Sequence, residues 1–482
     1  MPTPAVSVPA AGPVVLDAPR RAEAMGRARL LAERLAAAGV TMVALSWVDN
    51  AGIARAKTIP LGRLEQAAGW GIGMSPVFDV FLVNDTITTS PHIGGPGGDL
   101  RLVPDLDRLS VLAGQPGWAW APVSRYTQEG RVYAGCQRSF ARRMAAEARD
   151  RGLELRMAFE IEWALGTEAG GNAASGGADA GFRPACSGPA YGMTRVVELS
   201  DYGREVVGAL ERQGLTVEQF HPEYAAGQLE ISVAASDPVG AADDSALVRE
   251  TIRAVSARHG YRASFAPSVV AGSVGNGGHV HLSVWRDGQN LLAGGPGRHG
   301  LTAEGEAFAG GILQRLPALT AVGAPSVASY LRLVPSQWAG VFQCWGWENR
   351  EAALRLVTGS AGEHDARANI EIKCFDLAAN PYLVAGSLIA AGLAGVTSGA
   401  TLPPETDGDP AGLSPAEITD RGLRRLPQTL ADASDCLERD AVLRSAMGEP
   451  LAGAFLAVRR GEAETFAGAS PEEIVEQTRW RW

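Results

Sequence analysis

Cysteine is scarce: Cys136, Cys186, Cys344, Cys374 and Cys436 are odd in number, scattered, and never spaced as CxxC. That excludes a disulfide framework and a cysteine zinc site, and sets the expectation of a reducing, cytoplasmic setting. The opening residues carry no charged start followed by an apolar core, so no secretory signal is expected. No apolar run reaches the ~18 residues of a membrane span. The best candidate, Tyr382–Val396, is interrupted by Gly386, Gly392 and Gly395 and reads as a buried helix. Positive charge is not in excess either: 43 Lys and Arg against 53 Asp and Glu leave a net charge of −10. That argues against a nucleic-acid or anionic-membrane partner, although solubility alone also explains it. Several catalytic signatures are missing: GxxxxGK(S/T), GxGxxG between a strand and a helix, HExxH and GxSxG. Any bound nucleotide is therefore not held by a Walker loop.

What is present is an ordinary globular composition, 46% apolar and 20% charged over 482 residues, with 59 glycines. Residues 1–20 lack any period and read as a flexible arm. Arg21–Ala38 has helical spacing, with Gly39 as a stop. Thr41–Val48 and Ile53–Ile59 alternate as strands around the turn Asp49–Gly52. Short strands follow at Asp79–Val83 and Leu100–Pro104, and the first domain, 21–117, ends near Gly117. In the remainder, 118–482, Ser139 is a candidate cap for a helix to Arg151, and residues 167–182 form a low-complexity loop. Helices are expected over Leu199–Arg212, Asp243–His259, Ala303–Leu316 and Tyr382–Val396, and over most of Ser414–Phe466. Strands are expected at Glu218–His221, Gln228–Ala234, Arg262–Ser268 and His279–Trp285. The mixed order, without a regular βαβ repeat, points to α+β with a largely antiparallel sheet.

The chemistry lies in repeated charged strands. In Met157–Leu165, MAFEIEWAL, Glu160 and Glu162 stand two apart and would share one strand face, with Met157, Phe159, Ile161 and Trp163 opposite. Glu223 and Glu230 flank a Gly turn in HPEYAAGQLE; His279 and His281 alternate in NGGHVHLS; Glu371 and Lys373 alternate in IEIK. Arg332, Arg350 and Arg355 stand in mostly apolar surroundings and need anionic partners. Each motif alone also reads as a solvated face, a hairpin mouth or a surface ion pair. Together they strain that reading, because carboxylates gathered on one face repel unless cations lie among them. Carboxylate oxygens with one imidazole suit Mg²⁺ or Mn²⁺, and metals with Arg and His are the parts phosphoryl transfer requires.

In order and wording, the blocks FEIEWAL, HPEYAAGQLEI, NGGHVHLS, SYLRLVPSQWAG, WENREAALRL and IEIKCFDLAANPYL resemble the glutamine synthetase superfamily. The resemblance runs from about Val43 to the C-terminus. It implies a small N-terminal β-grasp domain and a larger catalytic α+β domain with a curved sheet. It also implies a homo-oligomer, usually a dodecamer of two hexameric rings with active sites between subunits. By position, Glu162, Glu223 and Glu230 resemble ligands of a first metal, and Glu160, His279 and Glu371 those of a second that grips ATP. His281 and Ser283 match ATP contacts. Arg350 and Arg355 match residues that handle the transferred phosphate and ATP, and Arg332 and Gly275 match glutamate contacts. The implied chemistry has two steps: the glutamate γ-carboxylate attacks the γ-phosphate of ATP to give γ-glutamyl phosphate and ADP, then an amine displaces phosphate.

Where true glutamine synthetases carry a site-closing Glu, this chain has Trp338; where they offer an Asp toward ammonium, it has Ser75, with Asp79 out of register. Lys373 replaces a carboxylate-binding Arg, and Ala400 replaces a Tyr that some bacterial members adenylylate. Loss of the ammonium-holding acids implies a larger amine, with Trp338 as an apolar wall and cation–π face. This resembles the γ-glutamyl-amine ligases that act on ethanolamine, isopropylamine, polyamines or anilines. A polyamine would want an acidic subsite for its second ammonium, and no such subsite is legible, so a small monoamine such as ethanolamine is the expectation. The alternatives are a true glutamine synthetase, a γ-glutamylpolyamine synthetase, and a catalytically inactive structural or regulatory ring.

Overall fold

The computed structural model describes residues 10–95, 97–168 and 181–482. The first nine residues of the expected arm and most of the low-complexity loop lie outside them.

An eight-stranded sheet opens the chain. Its strands are β1 Ala10–Val14, β2 Met42–Val48, β3 Ala54–Pro60, β4 Ile72–Met74, β5 Leu100–Pro104, β6 Ser110–Val111, β7 Trp118–Thr127 and β8 Arg131–Tyr133. The expected hairpin is β2–β3, in register from Met42↔Pro60 to Val48↔Ala54. Its turn is held by the Asp49 carboxylate, which accepts the backbone N–H of Ala51 (2.9 Å) and Ile53 (3.0 Å). Val43, Leu45 and Trp47 form the buried face, as their alternation requires.

Three expectations for this region change. Residues 10–20 are not loose: β1 pairs with β8, and Asp17 caps a helix over Ala18–Ala37. The stretch expected as a strand at Asp79–Val83 is not one: Asp79 and Val80 end a 3₁₀ turn, Pro76–Val80, capped by Ser75, and Phe81 makes a single bridge to Ile87. The boundary expected at Gly117 falls inside the sheet, because β7 pairs in parallel with β2 over Trp118–Pro122 and antiparallel with β5 over Val123–Thr127. The sheet therefore runs on to Tyr133.

The rest of the chain carries two more sheets, built from β9 Glu154–Phe159, β10 Ile161–Thr167, β11 Arg183–Pro184, β12 Val217–Pro222, β13 Gln228–Val233, β14 Arg262–Ser264, β15 Val280–Arg286, β16 Gln289–Asn290, β17 Phe342–Trp347, β18 Ala352–Val357 and β19 Asn369–Ile372. One has the order β11-β10-β13-β12 with β14 on β10; the other has β16-β15-β19-β18-β17 with β9 on β15. Pairing is antiparallel except between β17 and β18 in these sheets. MAFEIEWAL is thus not one strand. The chain leaves one sheet at Phe159 and enters the next at Ile161, with the Glu160 N–H donating to the His279 carbonyl (2.9 Å) at the step.

Helix Pro381–Ser398 is the buried helix expected at Tyr382–Val396, started by the Asn380 cap and stopped by Gly399 at φ 62°. It is long and apolar enough to cross a membrane by composition, but 78% of it is buried within the protein. It packs against helices Ala303–Gly323, Gln137–Asp150 and Pro238–Arg258. Two helix starts differ from expectation. Asp237, not Asp243, caps Pro238–Arg258. Asp243 lies within that helix, where Arg138 and Tyr382 hold its carboxylate. Cys136 precedes Gln137–Asp150, and Ser139 only donates to the Cys136 thiol. The first sheet is tied to the rest by Asn380, whose amide donates to the carbonyls of Val48 and Asp49, and by Trp482, whose indole donates to the Ala51 carbonyl.

Candidate active site

Residues of β10, β12 and β13 in one sheet and of β18 and β19 in the other, with His279 just before β15, line a cavity of about 650 Å³. Register explains which side chains meet. Glu162 lies opposite Glu230 across β10–β13, and His221 lies opposite Glu230 across β12–β13. In the other sheet, Glu371 lies between His281 and Arg355. At the step between the sheets, the Glu160 carboxylate meets both histidines at the start of β15: Oε1 is 2.8 Å from His279 Nδ1 and Oε2 is 3.2 Å from His281 Nε2. His279 Nδ1 is also 3.3 Å from Glu371.

All six expected metal ligands line this one cavity. Of the second expected set, Glu160 and Glu371 both approach the His279 ring, but the candidate cluster that holds both of them includes His281 instead. The first set divides. Glu223 and Glu230 cluster with His221, whose ring lies 3.5 and 3.1 Å from them, while Glu162 clusters with Glu160 and His279. His221 stands inside a quoted motif, yet its place between two carboxylates needs the β12–β13 register.

The charges here are unbalanced. Burial and the neighbouring Glu160 and Glu162 push the Glu230 carboxyl up to about 11. Burial likewise raises Glu162, against the pull of His279 and Arg332. Elsewhere the opposite force prevails. Burial opposes it, but His279 and His281 hold Glu160 well below the usual carboxylate range, and Lys373 and the two histidines bring Glu371 down to about 2. Burial lowers His281, yet the hydrogen bond it donates to Glu160 and the charge of Glu371 lift it to about 9. A carboxylate forced to keep a proton at neutral pH marks a place where a cation belongs. The donor set of carboxylates and imidazoles fits hard divalent ions.

The cationic side is formed by Arg332, Arg350, Arg355 and Lys373, which all line the cavity. Arg332 donates to His279 Nε2 (3.1 Å) and to the Lys373 carbonyl (3.0 Å), while its other terminal nitrogen, Nη1, is buried without a hydrogen-bond partner among the described residues. A buried unpaired guanidinium N–H suits an anionic substrate group. Arg355 pairs with Glu371 (2.9 Å) and Glu348 (2.7 Å), and Lys373 with Glu371 (3.1 Å). Gly275 and Gly277 allow the backbone in close. A Cβ at Gly275 would meet the Pro267 carbonyl at 2.0 Å, and one at Gly277 would meet Glu162 and His279 at 2.6 Å.

Trp338 stands at the mouth, 45% exposed, its ring 5.4 Å from that of Tyr224. Three expected residues do not line the cavity. His281 acts on it through Glu160. Ser283 is buried and accepts from the Trp285 indole (2.8 Å). Ser75 caps its 3₁₀ turn by accepting the Val77 N–H. Asp79 is consumed: fully buried, it takes hydrogen bonds from Arg125 (2.7 Å) and Tyr133 (2.9 Å). The sequence reading missed Tyr191, Tyr224 and Gln228 as lining residues. Tyr191 holds Glu223 by its hydroxyl (2.7 Å), and Gln228 donates to Glu162 (2.9 Å). Gln228 lies two residues before Glu230 on the same strand, a signal that was available; Tyr191 sits in a loop with none.

Residues 134–478 match the glutamine synthetase catalytic domain family. The chain belongs to the glutamine synthetase family. It is an ATP-dependent glutamate–amine ligase of a family that uses divalent metals. It is 57% identical to the γ-glutamylpolyamine synthetase GlnA3 of Streptomyces coelicolor, over 95% of this chain and 97% of that one. It is 31% identical to a glutamine synthetase of Halobacterium salinarum, over 92% and 94% respectively. A solved glutamine synthase homologue superposes with a TM-score of 0.81 at 32% identity, covering 92% of this chain and 99% of that one. A GmaS/ADP complex superposes at 0.78 and 28%, covering 91% and 97%. Within this glutamine synthetase fold, Trp338 lies on the cavity wall, between the catalytic sheets and solvent.

Proposed function

We propose that this ligase transfers the γ-glutamyl group of glutamate to a polyamine. The observation that carries the reading is the 57% identity, over nearly the whole of both chains, to a protein named as a γ-glutamylpolyamine synthetase. The ethanolamine expectation rested on finding no acidic subsite for a second ammonium; the acid nearest Trp338 in the fold, Glu351, accepts the Trp338 backbone N–H (2.8 Å) and does not line the cavity. The aromatic pair Tyr224–Trp338 offers an apolar, cation-tolerant wall for an aminoalkyl chain.

In this reading Glu160, Glu162, Glu223, Glu230, His279 and Glu371 would hold Mg²⁺ or Mn²⁺, which would supply positive charge toward the phosphates of ATP. Arg332 and Lys373 receive the carboxylates of glutamate, with the close-approaching backbone at Gly275. Arg350 and Arg355 balance the phosphoryl charge. His281 orients Glu160 from behind. Residues up to about Tyr133 form the N-terminal unit. The active assembly is a homo-oligomer of stacked hexameric rings, in which Ser75 would face a neighbour's site. Phosphate release measured with glutamate, ATP and a panel of putrescine, spermidine, ethanolamine, isopropylamine and ammonia tests the acceptor. The highest kcat/KM is expected for a polyamine. A preference for ethanolamine or ammonia overturns the reading.

A further inference from the structure

The loop carrying Trp338 has an unusual backbone. Ser336 (φ 58°) and Trp338 (φ 55°) both lie in the left-handed region without being glycine. Such a residue is strained and persists only where its surroundings hold it. The Trp338 side chain does not supply that hold, since it is half exposed and touches Tyr224 only at a tilt.

Two carboxylates from other segments do. Glu351 Oε1 accepts the Trp338 N–H (2.8 Å), and Asp409 Oδ2 accepts the Ser336 hydroxyl (2.6 Å). Both are anchored to one frame. The Glu351 N–H donates to Asn349 Oδ1 (2.9 Å), and the Asn349 amide donates to the carbonyls of Thr406 (2.7 Å) and Gly408 (2.8 Å), just before Asp409. Glu351 also directly follows Arg350, which lines the cavity.

We infer that Glu351 is a positioning residue for amine selection: as a hydrogen-bond acceptor it locks the left-handed backbone of Trp338 and so sets where the indole wall stands. This rests on the reading of Trp338 as a wall of the amine pocket. Asp409 is the second tether of the same loop. Glu351 need not touch the amine; it fixes the residue that does.

The test compares Glu351→Ala, Glu351→Gln, Ser336→Ala and Trp338→Ala in steady-state kinetics with putrescine, spermidine, ethanolamine and ammonia. Glutamine keeps an acceptor oxygen and loses the charge; alanine loses both. Glu351→Ala is expected to raise the amine KM about fivefold to tenfold, the scale of one lost hydrogen bond, with kcat and the KM for ATP and glutamate within about twofold. Glu351→Gln is expected to restore the amine KM to near the parent value. Ser336→Ala cuts the other tether at an exposed side chain, so it carries the test if Glu351→Ala fails to fold, and it is expected to raise the amine KM in the same sense. An unchanged amine KM in both loop variants overturns the inference, provided Trp338→Ala alters the amine profile. If Glu351→Gln loses polyamines as fully as Glu351→Ala but keeps monoamines, the charge itself binds the distal ammonium and the positioning role is wrong. If Trp338→Ala leaves the amine profile unchanged, the underlying reading of Trp338 fails and the inference falls with it.

Discussion

Trp338 and His279 test different halves of the chemistry. Trp338→Glu puts a carboxylate at the mouth where an ammonium ion could be held, so kcat/KM should fall for polyamines and rise for ammonia. The amine panel reads this directly, and an unchanged ratio would show that Trp338 does not face the acceptor. His279→Ala removes the ring that joins Glu160 and Glu371. It leaves those carboxylates with one fewer neighbour to share a cation. Turnover should drop by at least ~10²-fold, with weaker Mn²⁺ binding by calorimetry, on the scale of losses at metal-site residues. These side chains were legible one at a time. Their partners were not: His221 and Tyr191 join the site only through a strand register and a loop turn.

Among elements, helix Pro381–Ser398 crosses helix Ala303–Gly323 with almost no room. A Cβ on Gly395 would meet the Ala307 carbonyl at 2.1 Å, and one on Gly311 the Ala391 carbonyl at 2.3 Å. Backbone cannot give way as a side chain can, so Gly395→Val should cost at least ~1–3 kcal/mol in urea unfolding. The helix Glu449–Thr465 carries a second prediction. Its buried Glu462 accepts the Val83 N–H (3.1 Å) beside Arg459 (3.3 Å). Burial outweighs both and pushes the carboxyl up to about 7 from 4.5. The folded chain therefore keeps a proton there that the unfolded chain releases, and stability from this group falls as pH rises through that window. Glu462→Gln keeps the acceptor and removes the ionisation. Melting temperatures between pH 4.5 and 8 should show a flatter profile for the variant and no loss at pH 8. An apolar run with interrupting glycines, Tyr382–Val396, showed the buried helix Pro381–Ser398 in advance. Local pattern could not show that MAFEIEWAL changes sheets at Glu160, because side chains alternate the same way whether a strand continues or hands over to another sheet.

The whole molecule is a scaffold on which two sheets press five glutamates together. A divalent ion bound only by the folded chain should stabilise it by mass action, by about 2.7 kcal/mol at a hundredfold excess over its dissociation constant. Mg²⁺ or Mn²⁺ should thus raise the melting temperature and EDTA reverse it; His279→Ala should blunt the response. Ordered motifs and their residue types determined the family, the α+β class and the identity of the charged groups, since those follow from local pattern and chemistry. Tertiary structure alone decided how the carboxylates and imidazoles group, that Asp79 is spent on Arg125 rather than free, and that the first sheet runs on past Gly117. It also decided that a carboxylate stands behind Trp338. Glu351 is thirteen residues from Trp338 in the chain. No periodicity links them, and only the folded path of the backbone brings that carboxylate to that N–H.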